Sequence, residues 1–124
     1  MSDQQYCVLI VDDERLIAET MSYVVEDMGL PVCGIAATAD QAVALAMVHR
    51  PMVVLMDAGL KGEKDGVDAA RAIHAAMDAR IIFLTGSRDA TTLNRIQLGK
   101  PFAVLTKPAS ADRIGRAISD AMRG

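Results

Sequence analysis

The segment Met52-Val-Val-Leu-Met-Asp57 decides the fold, because five consecutive apolar residues lead directly into a carboxylate. A strand with one face in water alternates apolar and polar side chains, whereas a parallel strand covered on both faces is apolar throughout. The strand over 52–56 is therefore predicted to lie inside a sheet that has helices on both sides.

Four further apolar runs follow the same pattern and alternate with helical stripes. The runs are Cys7–Val11, Val32–Ala37, Ile81–Leu84 and Phe102–Leu105. The first stripe is formed by Ile17, Met21, Val24 and Met28, at helical spacing. Further helices are predicted before Pro51, after the loop 58–66, over 89–98 and at the C-terminal end. This alternation predicts an α/β fold, a doubly wound five-stranded parallel sheet flanked by five helices, in a single domain over residues 1–124.

The composition is that of a globular protein, with 52% hydrophobic and 23% charged residues. A net charge of −3 and the lack of a Lys/Arg run argue against direct DNA binding. No apolar run approaches the ~20 residues that a membrane span requires, and the N-terminal residues do not resemble a signal peptide. We therefore expect a cytoplasmic protein without membrane contact, in which Cys7 and Cys33 stay reduced.

Polar side chains with complementary chemistry follow four of the five predicted strands. The carboxyl ends of parallel strands share one edge of the sheet, where ligands bind. That edge receives Asp12, Asp13, Glu14, Asp57, Thr85, Gly86, Thr106 and Lys107. Acids at such positions are often only helix N-caps, and a lysine before proline is commonly a solvated loop residue. The agreement of four strand ends favours a shared site.

The clustered carboxylates predict a divalent cation, because they repel one another without one. Mg²⁺ prefers one or two carboxylates together with waters and phosphate oxygens, which suits Asp12, Asp13 and Asp57. With a metal in place, the Asp57 carboxylate is a nucleophile toward phosphorus and would form an acyl phosphate. Lys107 would balance the charge on the phosphoryl oxygens, and Thr85 would donate a hydrogen bond to them.

Four motifs together resemble the receiver domain of bacterial two-component response regulators. They are Val8–Glu14 (VLIVDDE), Val54–Asp57 (VLMD), Phe83–Gly86 (FLTG) and Leu105–Pro108 (LTKP). The likeness covers the whole chain and is similar to stand-alone receivers of the chemotaxis-regulator type; a receiver cut from a larger protein is the alternative. The resemblance implies a flavodoxin-like sheet of strand order 2-1-3-4-5. It also places Lys61 where many receivers have proline.

The resemblance further implies a phospho-acceptor switch in a phosphorelay. Asp57 would take a phosphoryl group from a histidine kinase or a histidine phosphotransfer protein. Mg²⁺, or Mn²⁺ in its place, would be held by Asp12, Asp13, Asp57 and the backbone carbonyl of Gly59.

The response to phosphorylation is implied in the same way. Thr85 would move toward the phosphoryl group, Lys107 would pair with it, and Gly86 and Ser87 would tune its access and lifetime. The face formed by the fourth helix, fifth strand and fifth helix would then rearrange and regulate an output protein that the sequence does not identify. The kinase-facing surface of the first helix is expected to include Arg15, Ala18, Met21 and Ser22.

Two positions depart from the family pattern without touching the acceptor or metal residues. The family usually carries Tyr or Phe three residues before its lysine, where this chain has Val104, so the aromatic switch is absent from its usual place. Phe102, two residues earlier on the same strand face, is a candidate substitute, although a core role is the favoured prediction. Ala109 replaces a frequent aromatic after Lys-Pro.

Three other hypotheses fit less well. A phosphatase or phosphotransferase of the haloacid-dehalogenase kind also uses an Asp nucleophile with Mg²⁺, but its second acid would stand at Gly59. A nucleotide- or flavin-binding domain would need a glycine-rich loop after the first strand, where this chain has three acids. A degenerate receiver would lack an acceptor, metal or lysine residue. We therefore expect no enzymatic turnover beyond the chain's own phosphoryl transfer and dephosphorylation.

Overall fold

The computed structural model describes residues 7–123, which form five strands and five helices in alternation. The first six residues, on which the expectation of no signal peptide rests, and Gly124 lie outside the described residues. The strands are β1 (Val8–Val11), β2 (Val32–Ala36), β3 (Val53–Asp57), β4 (Arg80–Thr85) and β5 (Ala103–Thr106). The helices are α1 (Arg15–Asp27), α2 (Ala39–His49), α3 (Gly66–Ala76), α4 (Ala90–Gln97) and α5 (Ala111–Arg123).

All five strands form one parallel sheet in the order β2-β1-β3-β4-β5, which confirms the predicted fold class and strand order. The register aligns the carboxyl ends of neighbouring strands. Asp57 of β3 pairs with Leu84 of β4, and Thr85 pairs with Thr106 of β5. The residues that follow these strands therefore meet at one edge, as parallel pairing requires.

The apolar core lies on both faces of the sheet, because successive residues of a strand point to opposite sides. Val54 and Met56 pack in one cluster with residues of α2, α3 and α4. Val53 and Leu55 pack in a second cluster with residues of α1 and α5. Burial of all five β3 residues explains why the segment shows no alternation.

Four helices begin at side-chain caps, which fixes where the preceding loops end. Thr38 accepts the N–H of Gln41 before α2, and Asp89 accepts the N–H of Thr92 before α4. Asp65 forms a capping box with Asp68 before α3. Ser110 accepts the N–H of Arg113 before α5.

Three strands begin one residue later than predicted. The first residue of β1 is Val8, so Cys7 precedes the strand. The first residue of β3 is Val53, and the strand includes Asp57. The first residue of β5 is Ala103, so Phe102 precedes the strand.

Two further expectations concern the whole chain. Within residues 7–123, no helix is both long and apolar enough to cross a membrane. Cys7 and Cys33 are free thiols. Burial, together with a hydrogen bond to Cys7, raises the pKa of Cys33 and disfavours its reactive thiolate.

Candidate functional site

Three polar side chains of the described residues are buried, and all lie at the carboxyl ends of strands. The exposed fractions of Asp12, Asp57 and Thr85 are 2%, 4% and 3%. Burying ionisable groups costs free energy unless partners or a cation offset the lost hydration. Their concentration at one edge, where ligands bind in open parallel sheets, identifies the candidate site.

The acidic cluster consists of Asp12, Asp13 and Asp57, each with one carboxylate oxygen within 4.8 Å of the others. Asp12 Oδ1 accepts the backbone N–H of Glu14 at 2.8 Å, whereas its buried Oδ2 has no hydrogen-bond partner. Burial raises the pKa of Asp12, and the charges of Asp57 and Asp13 add to that rise. An oxygen-only donor set with an unsatisfied buried carboxylate oxygen fits a hard divalent cation.

Lys107 connects the fifth strand to this cluster. Its Nζ lies 3.1 Å from Asp57 Oδ1 and 3.7 Å from Asp12 Oδ2. Burial alone would lower the pKa of Lys107, but the hydrogen bond to Asp57 and the nearby carboxylates outweigh burial and raise it. The ammonium group therefore stays charged beside Asp57.

Two backbone N–H groups of the loop between β3 and α3 donate hydrogen bonds to the acidic cluster. The Gly59 N–H donates to Asp57 Oδ1 at 2.9 Å, and the Lys61 N–H donates to Asp13 Oδ2 at 3.1 Å. A proline at position 61 could not make the second contact, because it has no backbone N–H. The Gly59 carbonyl as a metal ligand stays a prediction.

The Thr85 hydroxyl is engaged within its own loop. Thr85 Oγ1 accepts the Ser87 N–H at 3.1 Å and donates to the Ser87 carbonyl at 3.3 Å. To reach a group on Asp57, Thr85 must give up these two hydrogen bonds. Gly86 is beside open space, since a Cβ built on it would meet nothing within 4 Å, and its role in phosphoryl access stays a prediction together with that of Ser87.

The predicted core role of Phe102 is wrong. Its side chain is 39% exposed, and its ring lies 5.3 Å from the Arg80 guanidinium carbon. This cation–π contact holds the ring at the surface, ahead of the first residue of β5. Val104 is half-buried and packs with the cluster on the α3 and α4 side of the sheet. A switching role for Phe102 stays a prediction.

The expected kinase-facing surface of α1 also needs correction. Ala18 and Met21 have exposed fractions of 1% and 2% because they form the buried stripe of the helix. Arg15 and Leu16 are exposed at the start of the same helix.

Three residues near the site did not emerge from the sequence. A Cβ on Gly66 would lie 2.2 Å from the Asp57 carbonyl oxygen, so the first residue of α3 can approach the Asp57 backbone only as glycine. Asp65 caps the same helix, and its spacing from Asp68 is a capping-box signal that could have been recognised. Arg95 pairs with Asp65 across 30 positions, and no local pattern reveals such a contact.

Comparison with protein families places these features in context. A model of the response regulator receiver domain matches residues 8–119. The transcriptional regulatory protein PdtaR of Mycobacterium tuberculosis is 33% identical over 111 residues, which cover 90% of this chain and 54% of PdtaR. The phyllosphere-induced regulator PhyR of Methylorubrum extorquens is 29% identical over 116 residues, which cover 93% of this chain and 43% of PhyR. The chain thus spans about half the length of these curated relatives.

Solved structures of receiver domains are also similar to this chain. The signal receiver domain of a modulated diguanylate cyclase from Desulfovibrio desulfuricans is 39% identical with a TM-score of 0.86, covering 94% of this chain and 92% of that one. The receiver domain of PhyR from Erythrobacter litoralis is 30% identical with a TM-score of 0.82, covering 96% of this chain and 91% of that one. Both similarities extend over nearly the whole sheet and its helices.

Proposed function

The chain belongs to the response regulator receiver domain family, and from that premise we propose that Asp57 is the residue that accepts the phosphoryl group. Receiver domains of two-component response regulators are phosphorylated on an aspartate and bind Mg²⁺. The observation that carries the assignment is the environment of Asp57, which is buried at the end of β3 with Lys107 on one oxygen and two acids alongside.

The metal ligands in this proposal are Asp12, Asp13, Asp57 and the backbone carbonyl of Gly59. Asp12 Oδ2 supports this assignment because it is buried, accepts no hydrogen bond and has the Lys107 ammonium only at 3.7 Å, which leaves it free to bind a metal ion. Mg²⁺, or Mn²⁺ in its place, supplies when bound the positive charge that offsets both the carboxylates and the phosphoryl oxygens.

The transfer step is a displacement at phosphorus. A carboxylate oxygen of Asp57 forms the new bond to phosphorus while the bond from phosphorus to the donor's leaving atom breaks. With a phosphohistidine donor that bond is P–N, and its electron pair stays on the imidazole nitrogen. Lys107 remains beside the acceptor and balances the phosphoryl charge. Thr85 leaves Ser87 and donates its hydroxyl hydrogen to a phosphoryl oxygen. Attack by water at phosphorus later returns the carboxylate and inorganic phosphate.

The proposed donor is a histidine kinase or a histidine phosphotransfer protein, and the proposed output is a change in the face formed by α4, β5 and α5. Leu98, directly after α4, and Phe102, directly before β5, are 53% and 39% exposed. Exposed apolar side chains beside this face support a protein partner. Gly86 and Ser87 would set how easily phosphoryl donors and water reach the site.

The decisive experiment compares wild type with Asp57→Asn and with Asp78→Asn, a control in the exposed loop before β4. Each protein is incubated with phosphoramidate and Mg²⁺, and its intact mass is measured. Wild type and the control are expected to gain one phosphoryl group that alkaline hydroxylamine removes. Asp57→Asn, and wild type with EDTA, should gain none. A phosphorylated Asp57→Asn protein would overturn the assignment.

A further inference from the structure

Helix α4 is held to the rest of the fold by few buried contacts. It has eight residues, of which Ile96 is the buried one. By contrast, α3 buries Gly66, Val67, Ala69, Ala70 and Ile73. Elements with few buried apolar contacts open or shift at lower free-energy cost than the core. Polar contacts therefore have a larger part in fixing the position of α4.

Arg95 provides a two-point polar contact between α4 and α3. Its Nε donates to Asp65 Oδ2 at 3.0 Å, and its Nη2 donates to Asp65 Oδ1 at 2.9 Å. The same Nη2 reaches Asp68 Oδ1 at 3.3 Å. A two-point pair between guanidinium and carboxylate fixes orientation as well as distance. Burial raises the pKa of Asp65, but the hydrogen bonds from Arg95 and from the Asp68 backbone outweigh burial and lower it.

The carboxylates that receive Arg95 are themselves held by backbone hydrogen bonds. Asp65 Oδ1 accepts the backbone N–H groups of Val67 and Asp68, each at 3.0 Å. Asp68 Oδ2 accepts the Asp65 N–H at 2.9 Å. This capping box begins a helix whose inner face is packed into the core. Arg95 thus ties a loosely packed helix to a firmly packed one.

A second chain of hydrogen bonds joins α4 to Thr85. Ser87, which holds the Thr85 hydroxyl through its backbone, donates its Oγ hydrogen to Asp89 Oδ2 at 2.8 Å. Asp89 Oδ1 accepts the Thr92 N–H at 2.8 Å in the first turn of α4. When Thr85 breaks its hydrogen bonds to Ser87, the loop after β4 is held less firmly. The first turn of α4, which is joined to that loop through Asp89, is then less firmly held as well. Arg95 lies one helical turn beyond Thr92, so its guanidinium moves with that turn.

We propose that the contact of Arg95 with Asp65 and Asp68 is a latch that holds α4 in the unphosphorylated position and opposes phosphorylation of Asp57. This inference rests on the proposed function. It assigns a coupling role to residues of α3 and α4, and it needs no aromatic residue at position 104. In the structure, Lys107 contacts Asp57 and Thr85 contacts Ser87, which is the arrangement from which the proposed transfer step starts. A ligand that favours the other arrangement must spend part of its binding free energy on opening the latch.

The sign of the effect follows from this linkage. Removing the latch destabilises the unphosphorylated position of α4 and leaves every group at Asp57 in place. The protein should then bind a phosphoryl analogue more tightly, because less free energy is lost in the change of conformation. An interaction of about 0.4–1 kcal/mol, typical of a partly exposed pair, corresponds to roughly a two- to fivefold change in affinity.

The test titrates each protein with beryllofluoride in Mg²⁺ and follows backbone amide resonances. Wild type is compared with Arg95→Gln, with Arg95→Lys, and with Arg71→Gln, a charge-matched control on the exposed side of α3. Arg95→Gln is expected to bind roughly two- to fivefold more tightly. Arg95→Lys should fall between it and wild type, since lysine keeps the charge without the planar fork. Equal affinities for all four proteins, or the same gain in Arg71→Gln, would refute the latch.

Hydrogen exchange separates failure of the latch from failure of the proposed function. In the absence of beryllofluoride, α4 amides of Arg95→Gln should exchange faster than those of Arg71→Gln, with β1 and β3 unchanged. If wild type does not bind beryllofluoride, or if Asp57→Asn binds it equally well, the proposed function is wrong, and exchange in α4 still decides whether Arg95 holds that helix. Unchanged α4 exchange in Arg95→Gln would exclude the latch in either case.

Discussion

The two regions that meet at the site differ in how firmly the fold holds them. In the first, β1 and β3 bury every one of their residues and present Asp12 and Asp57 at their ends. In the second, the loop after β4 and helix α4 are mostly exposed, and the helix buries Ile96. Asp12 and Asp57, for which we propose metal-binding and acceptor roles, thus sit at the ends of well-buried strands, where their geometry is preserved. The residues expected to respond sit where movement costs little free energy.

The largest expected effect tests this contrast through core truncations. Leu55→Ala removes a fully buried side chain of β3 and should cost about 2–5 kcal/mol of global stability. Ile96→Ala removes a similarly buried side chain of α4, yet its cost should be at or below the low end of that range, because α4 can detach while the sheet stays intact. Urea denaturation measures the global cost of each substitution.

Native-state hydrogen exchange shows which part of the fold each of the two substitutions destabilises. Leu55→Ala should reduce protection throughout the sheet, whereas Ile96→Ala should reduce it in α4 and the loop before it. Protection lost from β1 and β3 in Ile96→Ala to the same extent as from α4 would remove the distinction between the two regions.

Two glycines near Asp57 allow the same contrast between tightly and loosely packed regions to be tested at the site itself. Gly66 contacts the Asp57 backbone so closely that an alanine Cβ would lie 2.2 Å from its carbonyl oxygen, whereas a Cβ at Gly86 meets nothing within 4 Å. Gly66→Ala should therefore cost about 1–3 kcal/mol through displacement of α3. Gly86→Ala should stay within about 0.5 kcal/mol of wild type.

The phosphorylation rate of the two glycine variants gives an independent measurement. Gly66→Ala should displace the backbone of Asp57, the proposed acceptor, so its rate with phosphoramidate should fall. Gly86→Ala leaves that backbone in place. A Gly66→Ala protein with wild-type stability and rate would mean that the close approach does not constrain the acceptor.

The first region, formed by β1 and β3, is also the one that the sequence predicted well. Continuous apolar runs mark buried parallel strands, and parallel pairing brings their ends together, so the convergence of Asp12, Asp57, Thr85 and Lys107 followed from topology alone. The receiver-domain motifs agree with the same edge.

Contacts that depend on side-chain direction were not predictable in the same way. The Thr85 hydroxyl forms hydrogen bonds with the Ser87 backbone. Other polar groups are available at this edge, and the sequence does not show which of them the hydroxyl contacts. The sequence places Phe102 at the start of the fifth strand and so predicts a core position for its side chain. The strand begins one residue later, and the Phe102 ring contacts Arg80 at the surface. Arg95 and Asp65 are 30 positions apart and meet only once α3 and α4 are placed. The loosely held region is defined mainly by such contacts.

The smallest expected effect concerns acid, and it tests whether the Arg95 contact stabilises the second region at all. The pKa of Asp65 in the folded chain lies below its ordinary value of 3.8 despite burial, because Arg95 and the Asp68 backbone favour the carboxylate. A group with a lowered pKa stabilises the fold fully above its unfolded pKa, and the contribution is lost as the pH falls through the folded pKa. The stability difference between wild type and Arg95→Gln should therefore be constant near neutral pH and shrink below about pH 4.

Carboxylates that do not contact Arg95 occur unchanged in both proteins and cancel in that difference. Asp89, whose hydrogen bonds at the start of α4 lower its pKa, is one of them. The neutral-pH difference should be roughly 0.4–1 kcal/mol, the upper part of the range for partly exposed ion pairs because the contact is bidentate, and should decrease in molar salt because screening weakens such pairs. Urea midpoints at several pH values provide the measurement. A difference that persists unchanged at pH 2 and in high salt would show that Arg95 stabilises α4 through the packing of its aliphatic stem, and the carboxylates of α3 would then have no part in holding the helix.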